Sequence, residues 1–359
     1  MFKKIFKCIT CFFMIFIVFN LQGCSKKADT KEREIEPPNF SKVTLLEKKN
    51  ENLNIYEANE EGLFKNGTIK ENIMDGKYNL QKSIYVYLNY VSKGKELDKS
   101  KISIIKDKTL RVLEDFYNAS DIRLSPKASK LAYRTFKEDS LNSAQGMKMY
   151  DIENNKEIKL NSKVLISGNL FQWLNEDEII YYGMIPEEKG SSKIYKYNFR
   201  EKKEEPYVGD IKGYCSYIVP VKDDVVFISR DNDKSNLYYY KKTTNEFIKI
   251  SDSIDQAYDY TIDKNHNIYF IANDYIEQKK SLYCISYKDK VLKRLTYDFP
   301  TEVNVKGGIS TDEKGNVYFI GSNNDRNSSS DGVYIYKPVE GSVNVLSDFE
   351  SLYYILQGK

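Results

Sequence analysis

An aromatic residue closes a short apolar run and returns at a near-constant interval along this chain, and no other feature limits its fold as strongly. Tyr87 closes Tyr85-Val86-Tyr87, Tyr133 closes Leu131-Ala132-Tyr133, and Tyr181 closes Ile179-Ile180-Tyr181. Phe227, Phe270 and Phe319 close Val225-Val226-Phe227, Ile268-Tyr269-Phe270 and Val317-Tyr318-Phe319. The successive intervals are 46, 48, 46, 43 and 49 residues. A period between about 40 and 50 is the mark of a repeat architecture, and it outranks any local reading.

Each unit has the same internal order. About a dozen residues after the aromatic comes a second alternating run, such as KIYKYNF at 193–199, NLYYY at 236–240 or SLYCI at 281–285. A polar turn and a third run follow, EFIKI at 246–250 or VNVL at 343–346. A fourth run precedes the next aromatic: DIRL at 121–124, LFQWL at 170–174, YCSYIV at 214–219, AYDYTI at 257–262. Period-two alternation bounded by Asn, Asp, Gly and Ser is strand-and-hairpin chemistry. The fold class predicted is all-β, a β-propeller of four-stranded antiparallel blades. A lone sheet that is apolar on both faces must bury each against a neighbour, and radial stacking does so.

The ends set the blade count. Residues 43–66 offer three outer strands without an inner one, and Ser351–Leu356 offers an inner strand where the chain stops. Pairing the C-terminal strand into the N-terminal blade closes the ring and gives seven blades. The count is six if residues 43–66 lie outside the ring.

The N-terminus reads as an export signal. Lys3, Lys4 and Lys7 precede an apolar run from Cys8 to Phe19, which is too short to span a bilayer comfortably. Leu21-Gln22-Gly23-Cys24 resembles a bacterial lipobox. That resemblance implies cleavage between Gly23 and Cys24 and a lipid (palmitate-type) anchor on Cys24. The domains predicted are a signal peptide at 1–23, a charged tether at 24–42 ending near Pro37-Pro38, and the propeller at 43–359. The predicted location is the extracytoplasmic face of a bacterial membrane. The Lys, Asn, Ile and Tyr bias points to a low-GC Gram-positive host.

Removal of residues 1–23 takes three lysines and no acids from a total of 55 Lys+Arg and 52 Asp+Glu, leaving a formally neutral chain. Neutrality argues against a nucleic-acid partner, because phosphate binding needs excess Lys and Arg. Cys215 and Cys284 are the only cysteines beyond Cys24. They fall on different blades, so both are expected as free, buried thiols. His266 is the single histidine, which removes most metal sites and histidine triads.

Leu124-Ser125-Pro126-Lys127-Ala128-Ser129-Lys130-Leu131-Ala132-Tyr133 resembles the S-P-D-G-K-x-(I/L)-A-Y signature of TolB-type, WD-repeat-like propellers, with Lys127-Ala128 in place of Asp-Gly. Asp263–Tyr269 and Asp312–Tyr318 look like the same turn again. Phe171–Asp177 is similar to a turn in dipeptidyl-peptidase-like propellers. The resemblance covers nearly all of 43–356. It implies a surface that binds a protein, a peptide or a glycan, and it is weak for function because one propeller serves many roles.

Chemistry-bearing groups are few. The hydrolase elbow G-x-S-x-G does not occur. Asp263, Asn265 and Asn267 alternate like the start of an EF-hand loop, but Ile268 stands where glycine is required, so hairpin turn chemistry is preferred. Glu176, Asp177, Glu178, Asp223 and Asp224 lie near inner-strand ends and read as solvated turns. The candidate partner-binding residues are the inner-strand aromatics Trp173, Tyr217, Tyr260 and Tyr354. The function expected is a membrane-anchored, non-catalytic binding or assembly module without metal or cofactor. The alternatives are a carbohydrate- or peptide-active enzyme using carboxylates at a channel mouth, and a small-ligand sensor or solute-capture protein.

Overall fold

A computed structural model of the chain describes residues 33–323 and 331–358. The expectations for Gly23 and Cys24 lie outside the described residues.

The chain is all-β. Among the described residues, five of the six sheets are local and antiparallel. Four have four strands each, spanning 118–158, 165–208, 214–251 and 254–294. A five-stranded sheet spans 302–345, where Glu302–Val303 and Ile309–Thr311 both pair with Val317–Ser322. The remaining sheet has nine strands and is not local. In it, Leu352–Gly358 runs antiparallel to Thr44–Lys49, with Leu45 opposite Ile355 and Leu46 opposite Tyr354. The same strand touches Ile73–Asn79 in the parallel sense, Gln357 beside Lys77 and Gly358 beside Tyr78. This is the only parallel strand pair among the described residues.

Tyr133, Tyr181, Phe227 and Phe270 fall on the second strand of a four-stranded meander, Phe319 on the third strand of the five-stranded sheet, and Tyr87 on Ile84–Ser92 of the nine-stranded sheet. Tyr87, Tyr133, Tyr181, Phe227, Phe270 and Phe319 are all buried. They are buried because alternate residues of these strands enter two different cores. On Ile84–Ser92, Ile84, Val86 and Leu88 pack with Ile122, Leu124 and Leu131 of the next sheet. Tyr85 and Tyr87 point the other way, to Leu46, Ile55 and Leu356. On Val317–Ser322, Val317 and Phe319 join Tyr269 and Ile271, whereas Tyr318 and Ile320 join Val43, Leu45 and Ile355. Burying one such side chain is worth about 1.5–3 kcal/mol, so a strand buried on both faces is anchored twice. This explains why the sequence shows near-continuous apolar runs rather than clean inside-outside alternation.

Packing starts earlier than the boundary expected at residue 43. Arg33–Glu34 pairs with Thr109 and Leu110. Phe40 is buried, with its ring edge-on to Tyr78, Tyr85 and Tyr87 at 5.0, 5.7 and 6.0 Å. The Tyr78 hydroxyl donates to the carbonyl oxygens of Ser41 (2.8 Å) and Lys42 (3.2 Å). Ile35 packs on the same core, and Glu36 pairs with Lys108 at 2.9 Å.

Candidate functional site

The first strands of the meanders carry polar residues at positions where their neighbours are apolar, and these converge. Lys77, Arg123 and Asp259 line two adjoining cavities of about 580 and 960 Å³. The smaller is completed by Gln172, Trp173, Tyr260 and Gln357, and the larger by Met74, Tyr258, Tyr354 and Leu356. The three shared residues therefore form a waist between two wider spaces. Both volumes fall in the range of small-ligand pockets.

Asp259 accepts from Gln357 Nε2 at 3.1 and 3.2 Å and from the Tyr260 backbone N–H at 2.9 Å. Lys77, only 7% exposed, pairs with Asp75 at 3.1 Å. Arg123 donates from Nη1 to the carbonyl of Ile122 at 3.3 Å, and its buried Nε–H meets no acceptor within the protein. Among the described residues, neither Arg123 nor Asp259 has an oppositely charged partner at ion-pair distance.

Three of the four sequence-expected aromatics line the two cavities, and the fourth, Tyr217, lines neither. Trp173 lines the smaller one and donates from Nε1 to the Arg123 carbonyl at 2.9 Å. Tyr260 lines the same cavity, and its hydroxyl donates to Gln172 Oε1 at 3.1 Å. Tyr217 packs behind it, ring centroids 6.4 Å apart, with its buried hydroxyl unpartnered. Burial pushes the Tyr217 phenol well above its ordinary range; Tyr260 and Asp259 add to the rise and Arg123 opposes it. Tyr354 stands apart on the wall of the larger cavity.

The waist residues themselves were not singled out from the sequence. Their signal was present: Arg123 interrupts Ile122 and Leu124, and Gln172 interrupts Phe171 and Trp173. A polar residue between apolar ones on an inner strand marks the position that faces neither neighbouring sheet.

Other sequence-flagged groups are occupied structurally. Asp263 Oδ1 accepts from the backbone N–H groups of Asn265 and Asn267 (2.8 Å each), and Oδ2 from Asn267 Nδ2 (2.9 Å). Asp312 repeats this with Lys314 and Asn316 (2.9 Å each), and with Asn316 Nδ2 at 2.8 Å. These carboxylates are turn clamps. His266 takes the left-handed position in its turn (φ 66°) that Gly315 takes in the sister turn, and its ring packs on Tyr287 at 5.4 Å. Glu176 reaches back to the preceding sheet, accepting from the Ser125 and Ser129 hydroxyls and the Lys127 N–H. Glu178 pairs with Lys196 at 2.8 Å, and Asp224 accepts from the Tyr239 hydroxyl at 2.6 Å. Cys215 and Cys284 are free; Cys215 is buried and Cys284 half-buried, and burial pushes both thiols up to about 12.

No family model matches the chain, and no curated protein sequence matches it. Solved structures do. The chain superposes on the β-propeller domain of the Trilobed protease from Pyrococcus furiosus with TM-score 0.50 and 15% identity, covering 78% of this chain and 86% of that one. The fold is a β-propeller.

Two further propeller comparisons bear on extent. The uncharacterized protein lmo1340 from Listeria monocytogenes EGD-e matches with TM-score 0.55 and 12% identity, over 90% of this chain and 97% of that one. TolB from Acinetobacter baumannii matches at TM-score 0.44 and 12% identity, over 76% of this chain and 66% of that one, a likeness too loose to argue from. At these identities the propeller fold alone is shared. In this propeller the cavities are lined mainly by the first strands of the four-stranded meanders, by Ile73–Asn79 and by Leu352–Gly358.

Proposed function

We propose that this protein is an extracytoplasmic binding module, a seven-bladed propeller held to the membrane by lipid on Cys24. Its ligand or partner, a protein, peptide or glycan, enters the passage through Lys77, Arg123 and Asp259. That waist is the observation that carries the reading, because it gathers charge where several strands distant in sequence meet. Support for seven blades comes from the apolar cores. One lies between the two halves of the nine-stranded sheet and the others between successive sheets, and the last joins Val333 and Ile335 to Val43, Leu45 and Ile355. The antiparallel pairing of Leu352–Gly358 with Thr44–Lys49 supports closure by a latch. A non-catalytic role is favoured by the structural engagement of Glu176, Glu178 and Asp224 and by the seat of His266 on Tyr287.

The test is a photo-cross-linking residue in place of Met74, which is exposed at the larger cavity, in living cells. A captured species that is lost in an Arg123→Gln background is the expected result. Capture of nothing, or capture indifferent to Arg123, overturns the binding reading. In parallel, Cys24→Ala should leave the membrane fraction, and unchanged fractionation would remove the anchor from the proposal.

A further inference from the structure

The waist holds two cations and one anion, and one of the cations, Arg123, shares this confined space with Asp259 without pairing with it. Arg123 and Asp259 line both cavities, yet their hydrogen-bond partners are neutral: the Ile122 carbonyl for the guanidinium, and Gln357 and the Tyr260 N–H for the carboxylate. Lys77 differs, since Asp75 already neutralises it at 3.1 Å. A half-buried charge without a counter-charge is costly, and a guanidinium facing a planar oxyanion forms the stronger class of hydrogen bond. Asp259 keeps acceptor capacity as well. A carboxylate offers about four lone-pair sites, and Oδ2 receives only Gln357 Nε2.

We propose that the waist binds a small zwitterion, a free amino acid or a short peptide, with its carboxylate on Arg123 and its ammonium on Asp259. This rests on the binding-module reading and narrows it to a ligand class. A ligand carrying only a carboxylate leaves Asp259 to repel it, and a ligand carrying only an amine leaves Arg123 to do the same. The cavity of about 580 Å³ beside the waist accommodates a dipeptide.

The protein carries its own reporter. Trp173 is the single tryptophan, lines that cavity and donates to the Arg123 carbonyl. Its fluorescence is to be titrated in the full chain, purified in detergent, with alanine, Ala-Ala, N-acetyl-Ala-Ala and Ala-Ala-amide. Alanine or Ala-Ala should give a saturable change. Blocking either end of Ala-Ala should weaken binding by about tenfold or more, the loss expected for one charged hydrogen bond. Arg123→Gln and Asp259→Asn should each reproduce that loss, while Arg123→Lys retains part of the affinity. Near-UV circular dichroism checks that the variants fold, and the blocked peptides test the proposal without any substitution. Equal affinity for alanine and Ala-Ala assigns the site to a free amino acid, and tighter Ala-Ala binding assigns it to a peptide. Blocked peptides that bind as tightly as Ala-Ala, or four probes without a saturable response, overturn the proposal. If they do so while capture from position 74 still depends on Arg123, only the ligand class falls and the binding module stands.

Discussion

Gln357, in the last strand, donates through Nε2 to both carboxylate oxygens of Asp259, at 3.1 and 3.2 Å. The same amide group reaches the carbonyl oxygens of Tyr260 (3.2 Å) and Ile309 (3.4 Å). One side chain near the C-terminus thus ties two other inner strands together. Gln357→Ala removes these bonds and leaves the Asp259 carboxylate short of donors. The expected loss is about 1–3 kcal/mol in urea unfolding. A loss near zero would mean that the amide is replaced by water at no cost.

Gly308 sits at φ 77°, and a Cβ there would lie 2.5 Å from the carbonyl oxygen of Ile355 in the latch strand. Gly341 has a similar φ of 66° with nothing within 4 Å of a Cβ. Both alanine variants suffer the left-handed backbone penalty of about 1–2 kcal/mol. Gly308→Ala should cost clearly more, because it also pushes the last strand away from Gly307, whose carbonyl accepts from Ile355 N at 2.7 Å. Thermal unfolding of the two variants side by side gives the comparison, and equal losses would count against the contact.

Phe40 tests where the folded unit begins. Phe40→Ala empties a pocket bounded by Tyr78, Tyr85 and Tyr87 and should destabilise by about 3–5 kcal/mol. A residue in a solvated tether would show no change in the denaturation midpoint.

Glu178 predicts a pH dependence. Burial pushes its carboxyl up, but Lys196, Asn175 and Asn198 together outweigh burial and hold it below the usual carboxylate range. A folded-state value below the unfolded one contributes stability above the unfolded pKa, lost as pH falls through the folded value. The stability gap between the native chain and Glu178→Gln should be full at neutral pH and close in acid. Urea midpoints across a pH series measure it, and a gap that does not change with pH refutes the assignment.

Much of the architecture was legible without coordinates. The recurrence of Tyr87, Tyr133, Tyr181, Phe227, Phe270 and Phe319 places one buried strand in each unit, because a residue buried between neighbouring cores must be large and apolar wherever the unit repeats. The TolB-like turn at Ser125 was legible too, and Ala128 there adopts φ 57°, the left-handed geometry that glycine serves in the resembling signature. The tether boundary was less legible. Phe40 is one aromatic residue in a charged stretch, and only its contacts with Tyr78, Tyr85 and Tyr87 make it part of the core.

By itself the sequence determined the all-β repeat and its core, since strand periodicity and burial are written locally in each unit. Tertiary structure alone decided the waist. Lys77, Arg123 and Asp259, with Gln172 and Gln357 beside them, stand one to a strand, far apart along the chain. They become a site only because the first strands of the sheets converge, and a charge acquires its meaning from what lies within a few ångströms of it.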